Sequence, residues 1–168
     1  MSRMQRLRAS ELEGRREGMK TAIIFGATGQ DASYLAELLL EKQYRVVGVA
    51  RRVSVATDER IKHLHVNPNF TLIQGDVTDA MSVLRILREN DPMQCVYPSK
   101  VDPLWDRYEI YNLAAQSHVG TSFEQPSTTT QSTYLGTLKI LEAIRGCRIQ
   151  GIRNRFYKAS SSEMFGNA

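Results

Sequence analysis

The residues best suited to bind a ligand lie in the segment GATGQDA, residues 26–32. Gly26 and Gly29 allow a tight backbone turn and a close approach to a pyrophosphate, whose charge the free N–H groups at a helix start stabilise. A glycine pair alone is weak evidence, but this pair lies between an apolar, β-branched run and a helical pattern. Ala32, at the third small position, still permits close helix-to-strand packing. The segment therefore predicts a nucleotide site rather than a merely structural turn.

Arg51 and Arg52 follow the second apolar run, where an Asp or Glu would usually meet the ribose of NAD. Guanidinium groups there favour a 2′-phosphate, because arginine offers planar, bidentate donors. The alternative is that both arginines are solvated surface charges. Asp76, after the third run, suits either the adenine amino group or the N-cap of the next helix. Together these residues predict NADP as the cofactor.

Two more loops carry polar groups. In residues 112–119, small side chains would let a cofactor lie against the backbone, and His118 is expected to pack or hydrogen-bond rather than to catalyse. In the serine cluster that follows residue 159, Ser161 and Glu163 could give one substrate a hydrogen-bond donor and a general base. A helix N-cap explains that cluster equally well.

No metal site is predicted. His63 and His65 alternate like strand neighbours and have no third ligand nearby, and Cys95 and Cys147 lack a CxxC spacing. The cysteine usage fits a reduced, cytoplasmic setting.

Alternating strands and helices must position these loops. Strands are predicted at 21–25, 45–50, 70–74, 109–113 and 155–159. Helices are predicted from the glycine segment to residue 41, at 78–89 and at 133–145. The alternation indicates an α/β fold, a Rossmann-type doubly wound parallel sheet that binds ligands at its carboxyl edge. Residues 93–108, with two prolines and the single tryptophan, are expected to form a surface insertion.

Length and composition limit the function classes. With 168 residues the chain can form one domain with a core but not a second, full substrate domain. It is 42% hydrophobic, has no apolar run of about 20 residues and carries a net charge of +4, so we predict neither membrane nor nucleic-acid binding. Residues 1–18 lack the apolar core of a secretory signal and are expected to be a poorly ordered leader before a binding domain at 19–168.

Several motifs together resemble the GDP-mannose 4,6-dehydratase family of extended short-chain dehydrogenases/reductases. They are GATGQDASYLAELLLEK, VARR, GDVTD, YNLAAQSHVGTSFEQP, LGTLKILEAIR and RFYKASSSEMFG. The resemblance covers residues 19–166 and implies NADP as cofactor and GDP-mannose as substrate. The cofactor contacts that it implies are Gly26, Thr28, Gly29, Gln30, Asp31, Arg51, Asp76, Val77, Leu113, Ala114, Ala115 and Ser117.

The resemblance also implies a redox-neutral dehydration in GDP-fucose biosynthesis. A tyrosine base takes the proton of the sugar 4-hydroxyl while hydride leaves C4 for NADP. A glutamate then removes the C5 proton, water departs from C6, and hydride returns there while C5 regains a proton, to give GDP-4-keto-6-deoxymannose. Ser161 matches the hydroxyl that polarises the 4-oxygen, and Glu163 matches the C5 base.

Some positions depart from the family pattern. Ala32 and Gln43 replace glycines, which implies lost stability, and Gln131 and Thr133 replace acidic residues. The family's Tyr-x-x-x-Lys pair occurs nowhere in these 168 residues, so we expect this polypeptide alone not to turn over GDP-mannose with NADP. The alternatives are a non-catalytic NADP-binding fragment and another nucleotide-sugar epimerase or dehydratase. A family-like homo-oligomer is left open.

Overall fold

The computed structural model describes residues 19–53, 58–90, 108–148, 155–161 and 166. Within them lies a five-stranded sheet of the order β3-β2-β1-β4-β5, in which every neighbouring pair is parallel. The strands are β1 (Thr21–Phe25), β2 (Arg45–Ala50), β3 (Phe70–Gln74), β4 (Tyr108–Asn112) and β5 (Arg155–Lys158). The predicted Rossmann-type α/β fold is confirmed.

Two predicted segments lie outside the described residues. They are the leader 1–18 and all of the insertion 93–108 except its last residue. Tyr108 is 4% exposed and is the first residue of β4. The strand therefore begins one residue earlier than predicted.

The order of the strands reverses at β1, so that β2 and β3 lie on one side of it and β4 and β5 on the other. The last residue of β1, Phe25, is in register with Val49 of β2 and Asn112 of β4. Because the strands are parallel, their carboxyl ends meet at one edge. That reversal point is where open α/β sheets bind ligands.

Helices cover both faces of the sheet. On one face lie α1 (Gln30–Glu41) and a 3₁₀-helix (Glu59–Val66), and on the other lie α2 (Ala80–Glu89) and α5 (Gly136–Arg148). Three short segments precede α5: α3 (Val119–Glu124), α4 (Pro126–Thr129) and a π-helix (Thr130–Leu135). The last predicted helix therefore begins earlier than residue 133, and only part of it is α-helical.

His63 and His65 are not strand neighbours, so that expectation is wrong. They lie in the 3₁₀-helix, whose buried residues Ile61 and Leu64 are three positions apart. Three residues complete one 3₁₀ turn, so this spacing places both apolar side chains on the core face.

A residue with a left-handed backbone ends α1. The N–H of Tyr44 donates to the Leu39 carbonyl (2.9 Å) and the N–H of Gln43 to the Leu40 carbonyl (3.0 Å), which is the Schellman pattern. Gln43 has φ 62°. The lost stability expected at this position therefore has a physical cause, because a left-handed backbone costs a residue with a Cβ about 1–2 kcal/mol.

We expect Gln43→Gly to raise the free energy of unfolding by about 0.5–1 kcal/mol, because relief of the left-handed strain outweighs the added entropy of an unfolded glycine. Urea denaturation measures the change. The control is Lys42→Gly, at an exposed neighbour with φ −78°, where glycine relieves no strain and stability should fall. A Gln43→Gly chain no more stable than wild type would refute this account of the turn.

A buried carboxylate lies near the amino ends of the strands. Glu109 is 7% exposed and accepts hydrogen bonds from the Tyr111 phenol (2.7 Å) and the Tyr44 phenol (3.3 Å). Burial of Tyr111, then its hydrogen bond to Glu109 and the negative charge of that carboxylate, raise the pKa of Tyr111. The fold therefore favours the neutral phenol.

This shift gives stability a dependence on alkaline pH. The unfolded phenol, with its ordinary pKa of 10.0, loses its proton before folded Tyr111 does, so the stabilisation is complete below pH 10.0 and declines above it. We expect Tyr111→Phe to flatten the fall in unfolding free energy above that pH. Tyr34→Phe, which removes a phenol that is 63% exposed, should keep the wild-type slope. If the unfolding free energies of Tyr111→Phe and wild type fell with the same slope above pH 10.0, this mechanism would be excluded.

Candidate functional site

The glycine loop, residues 26–29, crosses the carboxyl edge between β2 and β4. The backbone N–H groups of Gly26 and Ala27 both donate to the Val49 carbonyl, at 3.0 and 3.1 Å. Gly26 has φ +82°, and a Cβ on it would lie 2.9 Å from the backbone nitrogen of Ala114. A side chain at this position would therefore push the loop away from the residues that follow β4.

The glycine loop leads directly into α1. The N–H of Gly29 donates to the Gly26 carbonyl (3.0 Å), and Gly29 is the N-cap, without a side-chain cap hydrogen bond. The first-turn N–H groups of an α-helix have no intrahelical acceptor and lie at the positive end of its dipole. Thr28 is half-buried, whereas Gln30 and Asp31 are exposed. The predicted phosphate-loop residues are thus together, in a geometry that fits a pyrophosphate.

A cavity of about 480 Å³ lies beside the ends of β2 and β3. We call it the arginine cavity, and its lining residues are Arg51, Arg52, Gln74, Gly75, Asp76, Asp79, Ser82 and Arg85. The volume is in the range of small-molecule sites, about 300–1,000 Å³. The structure brings together Arg51 and Asp76, which were predicted separately to bind one cofactor.

Asp79 is the N-cap of α2, whereas Asp76 is available to a ligand. Asp79 caps α2, because its side chain accepts a hydrogen bond from the N–H of Met81 (2.9 Å). Asp76 Oδ1 instead accepts from the N–H and the hydroxyl of Thr78, both at 2.8 Å. The N-cap alternative for Asp76 is therefore wrong. Its carboxylate lines the arginine cavity, where it could accept a hydrogen bond from a ligand amino group.

Arg85 was not among the residues predicted from the sequence. Its Nη1 lies 2.9 Å from Glu89 Oε2, and its Nη2 donates to the Gln74 carbonyl at 3.4 Å. It adds a third guanidinium to the arginine cavity from α2, three residues after Ser82. That helical spacing was the available signal, but it becomes informative only once α2 is known to lie beside the ends of β2 and β3.

The loop after β4, residues 113–118, is fixed to the glycine loop's strand. The N–H of Leu113 donates to the carbonyl of Phe25 (3.0 Å), and the N–H of Ala114 donates to Asn112 Oδ1 (3.1 Å). Leu113 and Ala114 are half-buried, whereas Ala115 and Ser117 are exposed. Small residues therefore lie beside the glycine loop, as a cofactor lying against the backbone requires.

His118 ends this loop as the N-cap of α3. Its Nδ1 accepts a hydrogen bond from the N–H of Thr121 (3.2 Å). The prediction that His118 is a hydrogen-bonding group is confirmed.

The end of β5 reaches the same edge. Lys158 Nζ donates to the Ala114 carbonyl (3.3 Å), and burial lowers the pKa of Lys158. Ser161 follows at an exposed position, while Glu163 lies outside the described residues. The pairing of Ser161 with Glu163 therefore stays a prediction.

The described ranges hold no cluster of three or more His, Cys, Asp or Glu side chains that could bind a metal ion. His63 Nε2 lies 2.7 Å from Glu37 Oε1, and His65 Nε2 lies 3.3 Å from Asp58 Oδ2. None of the helices in this part of the chain has the length and apolar character that a membrane span needs.

Known proteins resemble the chain in sequence. The family model described as GDP-mannose 4,6 dehydratase matches residues 23–168. A GDP-mannose 4,6-dehydratase of Yersinia enterocolitica is 46% identical over 155 residues, covering 88% of this chain and 37% of that protein. GDP-mannose 4,6 dehydratase 2 of Caenorhabditis elegans is 43% identical over 164 residues, covering 94% and 38%. The chain thus spans well under half the length of these relatives.

The fold also resembles a solved structure, that of the Bordetella bronchiseptica enzyme WbmH in complex with NAD+. The TM-score is 0.63 at 22% identity, over 89% of this chain and 42% of that chain. At this identity the likeness establishes the fold alone.

Proposed function

The chain belongs to the GDP-mannose 4,6-dehydratase family, and on that premise we propose that its residues form the NADP-binding part of a GDP-mannose 4,6-dehydratase. The observation that carries the proposal is that two groups of N–H donors lie at one sheet edge. The glycine loop with the start of α1 suits a pyrophosphate, and the arginine cavity suits a second phosphate. NADP has both groups, whereas NAD lacks the 2′-phosphate.

The adenosine end of the cofactor would lie in the arginine cavity. Arg51, supported by Arg52, would bind the 2′-phosphate through paired N–H donors. Asp76 would accept a hydrogen bond from the adenine amino group, next to the backbone of Val77. The cavity is lined by the loop after β2, by the end of β3 with the loop that follows it, and by α2. The adenosine would therefore be held on several sides.

The nicotinamide end would lie along the loop after β4. Ala114 and Ala115 have only methyl side chains, which allow a flat ring to approach the backbone, and Leu113 and Ser117 border them. NADP would supply the hydride acceptor and donor that a redox-neutral dehydration needs. A nicotinamide cofactor also agrees with the fold, since the similar WbmH structure is a complex with NAD+.

Ser161 and Glu163 are the proposed sugar-facing residues. The Ser161 hydroxyl would donate a hydrogen bond to the sugar 4-oxygen, and the Glu163 carboxylate would remove the C5 proton. A cytoplasmic location and a step in GDP-fucose formation belong to the same proposal.

Calorimetric titration of the 168-residue chain with NADP and with NAD tests the proposal. We expect one site per chain and about tenfold or more tighter binding of NADP, because charge-assisted hydrogen bonds to the 2′-phosphate contribute about 1.5–3 kcal/mol. Equal affinities would reject the role of the arginine cavity. No heat with either cofactor would reject the binding function itself.

A further inference from the structure

The helical segment from Thr133 in the π-helix to Lys139 in α5 contacts both loops that we assign to NADP. We propose that this segment is a positioning element, which sets the affinity for NADP by holding the loop after β3 and the loop after β4 in fixed relation. The inference rests on the proposed function, because it concerns the same site. None of its residues is proposed to touch the sugar.

Two threonine hydroxyls, four residues apart, hold the loop after β4. Thr137 Oγ1 accepts a hydrogen bond from Asn112 Nδ2 (3.1 Å) and donates to the Thr133 carbonyl (2.7 Å). Asn112 is fully buried, and its Oδ1 accepts from the N–H of Ala114 (3.1 Å). Thr133 Oγ1 accepts from the N–H of Gln116 (3.4 Å). The hydroxyls therefore fix the backbone that the nicotinamide would contact.

Two residues of α5, one helical turn apart, hold the loop after β3. A Cβ on Gly136 would lie 2.9 Å from Val77 Cγ2, so the helix backbone packs directly on a side chain that is 6% exposed. One turn later, Lys139 Nζ donates to the Thr78 carbonyl (2.7 Å). Both contacts fall within two residues of Asp76, the proposed adenine partner.

The spacing of residues in a helix explains how one segment serves both loops. Gly136 and Thr137 are consecutive in α5, so their directions from the helix axis differ by about 100°. Gly136 therefore faces Val77 while Thr137 faces Asn112. A π-helix directly precedes α5. Since π turns inside α-helices occur frequently at functional sites, the irregularity agrees with a positioning role.

The first test compares Thr137→Val with Thr137→Ser. Valine keeps the shape but leaves Asn112 without its hydroxyl partner, and we expect about a tenfold loss of NADP affinity by calorimetry. Serine keeps the hydroxyl, so the affinity of Thr137→Ser should lie within about twofold of the wild-type value. Titrations are run where urea curves show each variant fully folded, so a purely structural role would leave the affinity unchanged.

A matched pair of glycines in α5 provides the second test and decides the question if Thr137→Val does not fold. Gly136→Ala should displace Val77 and lower NADP affinity about tenfold, because the neighbouring Asp76 would lose its hydrogen bond to the adenine. Gly146→Ala, where no atom lies within 4 Å of the added Cβ, should keep it. Wild-type affinity in Gly136→Ala, and also in Thr137→Val if that variant folds, would overturn the inference and leave the proposed function intact. A wild-type chain that binds neither NADP nor NAD would overturn the proposed function, and this inference with it.

Discussion

Gly26→Ala is expected to lower the affinity for NADP by up to about a hundredfold, because the loss of hydrogen bonds to the charged pyrophosphate costs about 1.5–3 kcal/mol. The added Cβ would lie 2.9 Å from the Ala114 backbone nitrogen, and the residue has φ +82°. The loop must therefore move away from Ala114 or change its dihedral angles. Either movement displaces the N–H groups at the start of α1 that would bind the pyrophosphate. Calorimetry with NADP measures the loss.

Gly146→Ala is the control for this variant. It adds the same methyl group to an exposed helix position with open space around it, so stability should hold or rise and NADP affinity should not change. Gly26→Ala should also unfold at a lower temperature, since the left-handed backbone alone costs about 1–2 kcal/mol. A folded Gly26→Ala chain with wild-type affinity would show that NADP does not lie against this loop.

The second large effect is expected for Arg51→Ala, which should bind NADP about 10–100-fold more weakly and bind NAD as wild type does. The size follows from the loss of charge-assisted hydrogen bonds to the 2′-phosphate. Arg51 lines the arginine cavity and is exposed, so its removal leaves no cavity in the core. The preference for NADP over NAD should therefore shrink or vanish.

Two further variants make this prediction specific. Arg51→Lys keeps the charge but loses the bidentate geometry, so its NADP affinity should fall between those of wild type and Arg51→Ala. Arg145→Ala removes an exposed guanidinium that is paired with Glu142 at 2.6 Å, and it should affect neither cofactor. An equal loss of NAD and NADP affinity in Arg51→Ala would contradict a 2′-phosphate contact.

The strand β1 could be predicted because both of its faces are buried. Ile23 and Phe25 belong to one hydrophobic cluster and Ala22 and Ile24 to the other, so the strand is apolar from residue 22 to residue 25. A different local signal exists for α1, because glycines mark the start of this helix. For the candidate site, the ends of the strands identified Arg51 and Asp76 separately as candidate cofactor residues, and both line the arginine cavity.

The rest could not be predicted because it depends on contacts between distant segments. Arg85 reaches the arginine cavity only because α2 packs beside the ends of β2 and β3. Thr133 of the π-helix and Thr137 of α5 accept hydrogen bonds from Gln116 and Asn112, which are distant in the sequence. The sequence suggested Asp76 as a possible N-cap, whereas α2 starts later and is capped by Asp79.

A crystal structure of the chain grown with NADP tests the central claim most directly. We expect the pyrophosphate within hydrogen-bond distance of the N–H groups in the first turn of α1. The 2′-phosphate should lie in the arginine cavity, against the guanidinium of Arg51. Well-ordered NADP bound elsewhere, or with its 2′-phosphate outside that cavity, would contradict the assignment of this sheet edge as the NADP site.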